Sequence, residues 1–336
     1  MKLRLARWTH RLERLAARAM PAREAKVIET YVGYATPEHL VVRGRVLARR
    51  TGSPVEPGQG RLENISEMLR LFLTAEVPGV PVTCEGVAVK TDEEGYFRLE
   101  LPRGAAEGWE ERRVEAGGAS AVARIYVPSP DAAFGIISDI DDTMMHTGAH
   151  ALRSNLWNSL TGNYQTREVF SDAVALMQRF EAGERNPVFF VSSSPWNLYA
   201  FLRRVFGRNG LPLGPMFLRD YGIDDTKFIT STHGDHKGEA IDTILAANPG
   251  LPFVLIGDTG QHDAHVYRDA IHRHPGRVKE VIFRTPVEEF DAEIVERIRE
   301  IEAEGVPVHV GPDYFPVLDR ASPDTVQIDA PEGATG

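Results

Sequence analysis

The stretch that decides the fold of the carboxyl-terminal half is FGIISDIDDT, residues 134–143. A short, mostly apolar run is followed at once by the carboxylates Asp139, Asp141 and Asp142. Such a run, bounded by polar residues, is typical of a strand buried on both faces of a parallel sheet. Because side chains alternate along a strand, Asp139 and Asp141 can project in the same direction at its end. The sequence therefore predicts a reactive edge that carries two neighbouring carboxylates.

Beyond this stretch, apolar strands alternate with helical patterns. The predicted strands cover residues 134–138, 187–192, 216–218, 253–257, 279–284 and 306–310, and the predicted helices cover 168–182, 195–207, 236–247, 263–273 and 289–303. This alternation predicts a parallel, Rossmann-like α/β sheet with helices on both faces. Reactive groups in such sheets gather beyond the carboxyl ends of the strands.

The residues before this sheet have a different pattern. Short β-prone runs at 27–32, 40–47 and 69–75, and a predicted hairpin at 87–101 with its turn at 91–95, indicate a β-sandwich-like domain over residues 26–128. Pro128, Ser129 and Pro130 form a short stiff joint to an α/β domain over 129–320. We therefore expect a segment that begins at Ser129 to fold alone.

Composition limits the classes of function. The chain has 336 residues, 42% of them hydrophobic, and 38 basic against 48 acidic side chains give a net charge of -10. An acidic chain is not expected to bind nucleic acid, and it is compatible with a carboxylate-rich metal site. Cys84 is the single cysteine, which excludes an intrachain disulfide. Together with a start that lacks the apolar stretch of a secretory signal, this predicts a cytoplasmic protein.

Residues 1–25 contain a basic amphipathic helix pattern over 3–19. One face carries apolar side chains and the opposite face carries arginines: Leu5, Trp8, Leu12 and Leu15 against Arg7, Arg11, Arg14 and Arg18. Two interpretations remain open, peripheral contact with an anionic membrane surface and packing onto the protein's own domain. The tail at 321–336 is rich in Pro, Gly, Ala and Asp, which predicts disorder.

A second set of polar residues follows the second predicted strand of the sheet. Ser192 can donate a hydrogen bond to a phosphate oxygen at the strand end. We interpret Ser194 as the N-cap of the next helix, with Pro195 at its first position. The free amide groups of that helix start would then face a bound anion.

Two later elements supply further charged side chains to this edge. Asp235 is predicted to be the N-cap of a helix that carries Lys237 in its first turn. A lysine there opposes the helix dipole, which is unfavourable unless an anion lies beside it. The segment GDTGQHD, residues 257–263, adds Asp258 and Asp263 after another strand.

The four motifs in this order resemble the haloacid dehalogenase superfamily. More closely, DIDDT at 139–143, SPWNLY at 194–199, LRDYG at 218–222, HK at 236–237 and IGDTGQ at 256–261 resemble the catalytic domain of the actin-patch-type phosphatidate phosphatase family, over about residues 130–320. The resemblance implies a Mg²⁺-dependent phosphomonoester hydrolase that acts on phosphatidate or a related lipid phosphate through an aspartyl-phosphate intermediate.

The resemblance also implies roles for individual residues. Asp139 would be the nucleophile, and Asp141 the acid that protonates the leaving alkoxide and then the base that activates water. Ser192 and Lys237 would hold the phosphoryl group. The candidate metal set is Asp139, Asp141, Asp258 and Asp263, in which Asp258 joins Asp139 and Asp263 is a ligand or supports one. Hard oxygen ligands beside a phosphate fit Mg²⁺ better than zinc.

Other interpretations stay open. The substrate class could be another bulky phosphomonoester or a phosphoprotein, and the fold could serve a noncatalytic lipid- or protein-binding module. Two HxxH spacings formed by His233, His236, His262 and His265 could indicate zinc instead. Arg219, Asp220 and Tyr221 could line the substrate entrance, with a structural Arg–Asp pair as the alternative.

Overall fold

The computed structural model describes residues 25–49, 75–145, 169–219, 233–260, 262–285 and 292–320. The predicted helix at 3–19, the predicted tail at 321–336 and residues 69–74 of the predicted strand at 69–75 lie outside these ranges. Within the described ranges the chain forms two sheets, one before and one after residues 128–130. Among the described helices, none is long and apolar enough to cross a membrane.

The first sheet is nearly closed and has eight described strands. They are β1 (Ala25–Ala35), β2 (His39–Arg49), β3 (Ala75–Glu76), β4 (Pro81–Cys84), β5 (Val87–Lys90), β6 (Tyr96–Pro102), β7 (Gly108–Ala116) and β8 (Ala119–Val127). Their order is β3-β2-β1-β8-β7-β4-β5, and β6 pairs with β2. Alternate residues of β6 are buried, as period-two patterning requires. β2 carries β1 on one edge and both β3 and β6 on the other.

This pairing corrects the predicted hairpin. The two strands of the hairpin exist, but β5 pairs with β4, and β6 pairs with β2 from His39 to Arg45. The hydroxyl of Thr91 donates to the carbonyl of Val77 and accepts from the amide of Val80, which draws the end of β5 toward the β3–β4 connection. Because β2 joins strands on both its edges, the described strands form one continuous, nearly closed sheet.

The second sheet is parallel, as predicted, and all six predicted strands are present. They are β9 (Gly135–Asp139), β10 (Val188–Pro195), β11 (Met216–Arg219), β12 (Phe253–Asp258), β13 (Val278–Arg284) and β14 (Val308–Gly311), in the order β11-β10-β9-β12-β13-β14. The described helices are α1 (Ser171–Glu181), α2 (Tyr199–Asn209), α3 (His233–Ala247), α4 (Asp263–Arg273), α5 (Ala292–Ala303) and α6 (Phe315–Leu318), with a 3₁₀ turn at Trp196–Leu198.

Strand β9 lies at the centre of the parallel sheet and is buried on both faces. Ile136 belongs to one apolar core and Ile137 to the core on the opposite face. Gly135 is required by packing, because a Cβ atom there would lie 2.2 Å from the ring of Phe253. Neighbours β10 and β12 pair with β9 on either side, so the carboxyl ends of three strands meet at one place.

The two sheets share apolar contacts. Tyr31 is buried within one core of the α/β part, and Tyr34 and Val41 are buried within the other. Tyr31 stacks on Trp196 at a centroid distance of 4.4 Å, and the amide of Val32 donates to the hydroxyl of Tyr199 over 2.8 Å. A segment that begins at Ser129 would therefore expose apolar side chains that the first sheet covers.

We expect Tyr34→Ala to lower the free energy of unfolding by about 3–5 kcal/mol, because it leaves a cavity between the sheets. Tyr34 is 1% exposed, and its ring lies 5.4 Å from that of Phe217. Tyr34→Phe is the matched control. It keeps the ring and loses only the hydrogen bond from Arg98, 3.0 Å long, which is worth about 1 kcal/mol. Urea unfolding of the full chain measures both losses, and equal losses would contradict the shared core.

Candidate active site

The carboxyl ends of β9, β10 and β12 bring the candidate residues together. Asp139 is the last residue of β9, Ser192 lies in β10, and Asp258 is the last residue of β12. Helices α3 and α4 add Lys237 and Asp263 from the side. All five of these residues are buried.

Lys237 joins two carboxylates. Its Nζ atom lies 2.7 Å from Oδ1 of Asp139 and 2.5 Å from Oδ1 of Asp263. Burial alone lowers the pKa of Lys237, but the two carboxylates outweigh it and the pKa lies above its ordinary value. Lys237 is therefore a fixed positive charge in α3, between the end of β9 and the start of α4.

The predicted start of α3 is wrong. The helix begins at His233, so Asp235 lies inside it instead of capping it, and Lys237 lies one turn beyond the predicted position. The expectation that an anion lies beside Lys237 nevertheless agrees with the structure, since two carboxylates contact it. These carboxylates belong to β9 and α4. The sequence around α3 alone could therefore not identify them.

Asp263 is positioned by a tight approach of α4 to the end of β12. Its Oδ2 atom accepts a hydrogen bond from the amide of Asp258 over 3.3 Å. Glycine is needed at position 257, because a Cβ atom there would lie 2.7 Å from Oδ2 of Asp263 and 2.9 Å from Tyr267. Both oxygens of Asp263 thus have partners in the protein, Lys237 and the amide of Asp258, which is compatible with the supporting role predicted for it.

Asp139 is held at both of its oxygens. Lys237 contacts Oδ1, and the hydroxyl of Thr143 donates to Oδ2 over 3.1 Å. Asp142 between them adopts a left-handed conformation with φ of 57°, which turns the chain so that Thr143 faces back toward the strand end. The spacing of the DIDDT motif therefore allows its threonine to hydrogen-bond its first aspartate.

Asp141 is held by two serine hydroxyls. Ser192 Oγ donates to Oδ2 of Asp141 over 2.7 Å, and Ser194 Oγ donates to the same oxygen over 2.9 Å. The N-cap interpretation of Ser194 is wrong, because β10 continues to Pro195, whose φ of -71° and ψ of 153° are extended. The run of three serines at the strand end indicated hydrogen-bond donors in the sequence. It did not show that their acceptor is Asp141.

The site carries more negative than positive charge. Burial, followed by the charges of Asp263 and Asp139, raises the pKa of Asp258 to about 9. Burial also raises the pKa of Asp139 well above its ordinary range, although Lys237 opposes this shift. Three buried carboxylates with one lysine are a set that an additional cation would stabilise.

The donor set fits a hard divalent cation. Among the residues with described side chains, no three His, Cys, Asp or Glu groups are already placed to hold one metal ion. Mg²⁺ needs fewer protein ligands than that, because it commonly uses one or two carboxylates and fills its shell with water and phosphate oxygens. Asp139 and Asp258 are suited to this role.

Among the described side chains, the candidate histidines do not form a metal-binding group with the carboxylates, and some other candidate residues lie outside the described part. His262 and His265 have ring centroids 5.9 Å apart, and His265 contacts Glu293 over 2.9 Å. The side chain of His233 is outside the described part. Arg219 ends β11 beside Pro195, whereas Asp220 and Tyr221 lie outside the described residues.

The sequence analysis missed a buried hydrogen-bonded group behind the site, formed by Arg284, Asp172 and Tyr314, which we call the brace. Arg284 Nη2 lies 2.5 Å from Oδ2 of Asp172, which also accepts the amide of Tyr314 over 2.8 Å. The hydroxyl of Tyr314 donates to the carbonyl of Thr143 over 3.4 Å. The brace joins α1, β13 and the segment before α6, and such distant residues leave no local pattern.

Comparison with known proteins bears on the same segment. Residues 134–285 match the family model described as "Phosphatidate phosphatase APP1, catalytic domain". This segment is similar to a phosphatase catalytic domain. The match covers somewhat less than half of the chain and includes Asp139, Asp141, Ser192, Lys237, Asp258 and Asp263. It supports an enzyme of the phosphatase class.

Two curated relatives cover the same region. Phosphatidate phosphatase APP1 of Saccharomyces cerevisiae is 28% identical over 174 residues, 50% of this chain and 29% of that protein. An uncharacterized protein of Schizosaccharomyces pombe is 30% identical over 166 residues, 46% of this chain and 26% of that protein. The chain thus spans less than a third of the length of these relatives.

A carbohydrate acetylesterase from Xanthomonas citri is a structural match with 13% sequence identity and a TM-score of 0.28. The alignment covers 78% of this chain and 68% of that one. A similarity this low indicates nothing about function.

We expect Asp258→Asn to stabilise the metal-free protein at pH 7. In the unfolded chain this carboxyl ionises near pH 3.8, whereas in the folded chain its pKa is about 9. The metal-free protein therefore loses stability as pH rises between these values, by on the order of 2 kcal/mol or more at pH 7. The asparagine variant lacks that penalty.

Thermal unfolding in EDTA and then in excess Mg²⁺ checks this prediction. Wild type should gain stability from Mg²⁺, and Asp258→Asn should start higher and gain little. Asp242→Asn is the control, since Asp242 is 39% exposed and pairs with Arg273 on the surface. An Asp258→Asn protein that melts below wild type in EDTA, or gains equally from Mg²⁺, would refute the assignment.

Proposed function

We propose that the chain is a Mg²⁺-dependent phosphomonoester hydrolase of the haloacid dehalogenase type, acting through an aspartyl-phosphate intermediate. The observation that carries the proposal is the buried Lys237 beside Asp139, with Asp141 held next to them by two serines. This is a nucleophile, a fixed cation and an acid–base group at one sheet edge. The similarity of residues 134–285 to a phosphatidate phosphatase catalytic domain supports the same reaction class.

In the proposed first step, a carboxylate oxygen of Asp139 attacks phosphorus in line with the ester oxygen. The O–P bond to Asp139 forms as the P–O bond to the leaving group breaks. Asp141 gives its proton to the leaving alkoxide, so an alcohol departs. Because the serine hydroxyls donate to Oδ2 of Asp141, the transferred proton is carried on Oδ1. Lys237 offsets the charge repulsion between the carboxylate and the phosphoryl dianion.

In the second step, Asp141 takes a proton from water and the oxygen attacks phosphorus. The bond between phosphorus and Asp139 breaks, which releases inorganic phosphate and restores the carboxylate. Mg²⁺, when bound through Asp139 and Asp258, would supply further positive charge against the phosphoryl oxygens. We propose that Ser192 turns its hydroxyl toward the phosphoryl group when substrate binds, while Ser194 continues to hold Asp141.

The proposed substrate is phosphatidate or a related lipid phosphate. The similarity to the phosphatidate phosphatase of Saccharomyces cerevisiae over half of this chain supports that choice. A cytoplasmic protein with peripheral membrane contact through residues 3–19 is part of the proposal, and those residues lie outside the described part. Assays with phosphatidate in mixed micelles and with soluble phosphomonoesters and phosphopeptides distinguish the substrate classes. No turnover of any of them would favour a noncatalytic binding module.

We expect Asp139→Asn to abolish turnover while the fold stays intact, because an amide is a poor nucleophile and a poor Mg²⁺ ligand. Release of phosphate from a soluble phosphomonoester measures the rate, and circular dichroism checks the fold. A well-folded variant with near-normal rates would rule out the aspartyl-phosphate mechanism.

We expect Asp141→Asn to lower kcat by about 10² to 10⁴, the usual worth of acid–base catalysis. The loss should be larger for an alkyl phosphate than for a nitrophenyl phosphate, because a good leaving group needs less protonation. Equal losses with both substrates would show that Asp141 is not the acid for the leaving group.

A further inference from the structure

Arg45 of the first sheet is buried at the boundary with the α/β part. It is 5% exposed, and each of its three nitrogens contacts an oxygen. Nε donates to the carbonyl of Glu94 over 2.8 Å, and Nη2 lies 2.5 Å from Oε1 of Glu76. Nη1 donates across the boundary to Oδ1 of Asn197 over 2.7 Å. The planar guanidinium is thus oriented by its own sheet and presents one donor to the other part.

Asn197 lies in the 3₁₀ turn at Trp196–Leu198, and other residues of the first sheet contact the same turn. Tyr31 stacks on Trp196 with an angle of 19° between the rings. The guanidinium carbon of Arg43 lies 5.4 Å from the ring centre of Trp196. Contacts from β1 and β2 therefore converge on the residues that directly follow β10.

The pairing of β10 with its neighbouring strands becomes irregular near its end. Its regular pairing with β9 runs from Val188 to Val191, opposite Asp139. Its pairing with β11 shifts register between Val191 and Pro195. Ser192 and Ser194 lie in this irregular stretch, where ladder hydrogen bonds do not fix the backbone as they do earlier in the strand.

We propose that Arg45 is a positioning residue for phosphoryl transfer, which holds Asn197 and so fixes Ser192 and Ser194 against Asp141. The proposal rests on the proposed function for its kinetic consequences. It also gives the first sheet a role in the reaction. Reactions that depend on alignment lose about a hundredfold in rate when a group moves by roughly 1 Å.

The kinetic test compares full-length Asn197→Ala, Asn197→Asp and Arg45→Gln with wild type on a soluble phosphomonoester. Asn197→Ala removes the acceptor oxygen, whereas Asn197→Asp keeps one. We expect Asn197→Ala and Arg45→Gln to lower kcat about tenfold or more with KM changed less than twofold. Asn197→Asp should keep kcat within about threefold of wild type.

Arg112→Gln is the matched control. Arg112 is 22% exposed and pairs with Glu85 and Glu110 within the first sheet. It tests whether loss of an arginine ion pair in that sheet lowers kcat through general loosening. We expect it to lower the melting temperature without changing kcat.

Hydrogen exchange of the peptide that covers residues 190–198 gives a readout independent of turnover. Exchange should be faster in Asn197→Ala and unchanged in Asn197→Asp. If wild type hydrolyses no phosphomonoester, the proposed function fails, and hydrogen exchange alone decides whether Arg45 holds this segment. Unchanged kcat and exchange in Asn197→Ala, or equal defects in Asn197→Ala and Asn197→Asp, would overturn the proposal. If Arg45→Gln does not fold, the two Asn197 variants decide.

Discussion

The ion pairs of Lys237 with Asp139 and Asp263 are the constraint on which the site depends. All three side chains are at most 5% exposed, so each has lost its water, and removal of Lys237 would leave two buried carboxylates without a compensating charge. The triad ties α3 and α4 to the end of β9. Asp258 lies close to the same carboxylates, and burial followed by the charges of Asp263 and Asp139 raises its pKa.

In the proposed reaction, the charges of this site would bind both a phosphate ester and a divalent cation. A phosphate ester brings negative charge that Lys237 can contact, and a divalent cation compensates the carboxylates that Lys237 leaves unneutralised. The proposed chemistry would draw on the same buried carboxylates whose charges help to raise the pKa of Asp258.

The first sheet extends the active-site framework beyond the segment that matches the phosphatase family model. Tyr31, Arg43 and Arg45 contact the turn after β10, and the amide of Val32 reaches Tyr199 at the start of α2. β9 is held by ladder pairing on both sides, whereas the serine end of β10 is not. The serines that hold Asp141, the proposed acid–base group, thus lie just before the turn that the first sheet contacts.

The sequence predicted what is local and failed where partners are distant. Apolar runs ending in polar residues predicted all six parallel strands and placed Asp139, Ser192 and Asp258 at one edge. The predicted pairing of β6 with β5 was wrong, because β6 pairs with the edge of β2. A hairpin pattern at 87–101 contains no information about that distant edge. Ser194 was misinterpreted because proline after serine also suits a helix start. The bond from Arg45 to Asn197 spans 152 residues and leaves no trace in either neighbourhood.

The measurement that tests the central claim most directly is mass spectrometry of enzyme quenched with acid during turnover of a phosphomonoester in Mg²⁺. Acid preserves an acyl phosphate long enough for peptides to be mapped. We predict a phosphoryl group on the peptide that contains Asp139, absent from Asp139→Asn and from enzyme without substrate. Steady turnover with that peptide unmodified, or with the phosphoryl group on another residue, would contradict the account.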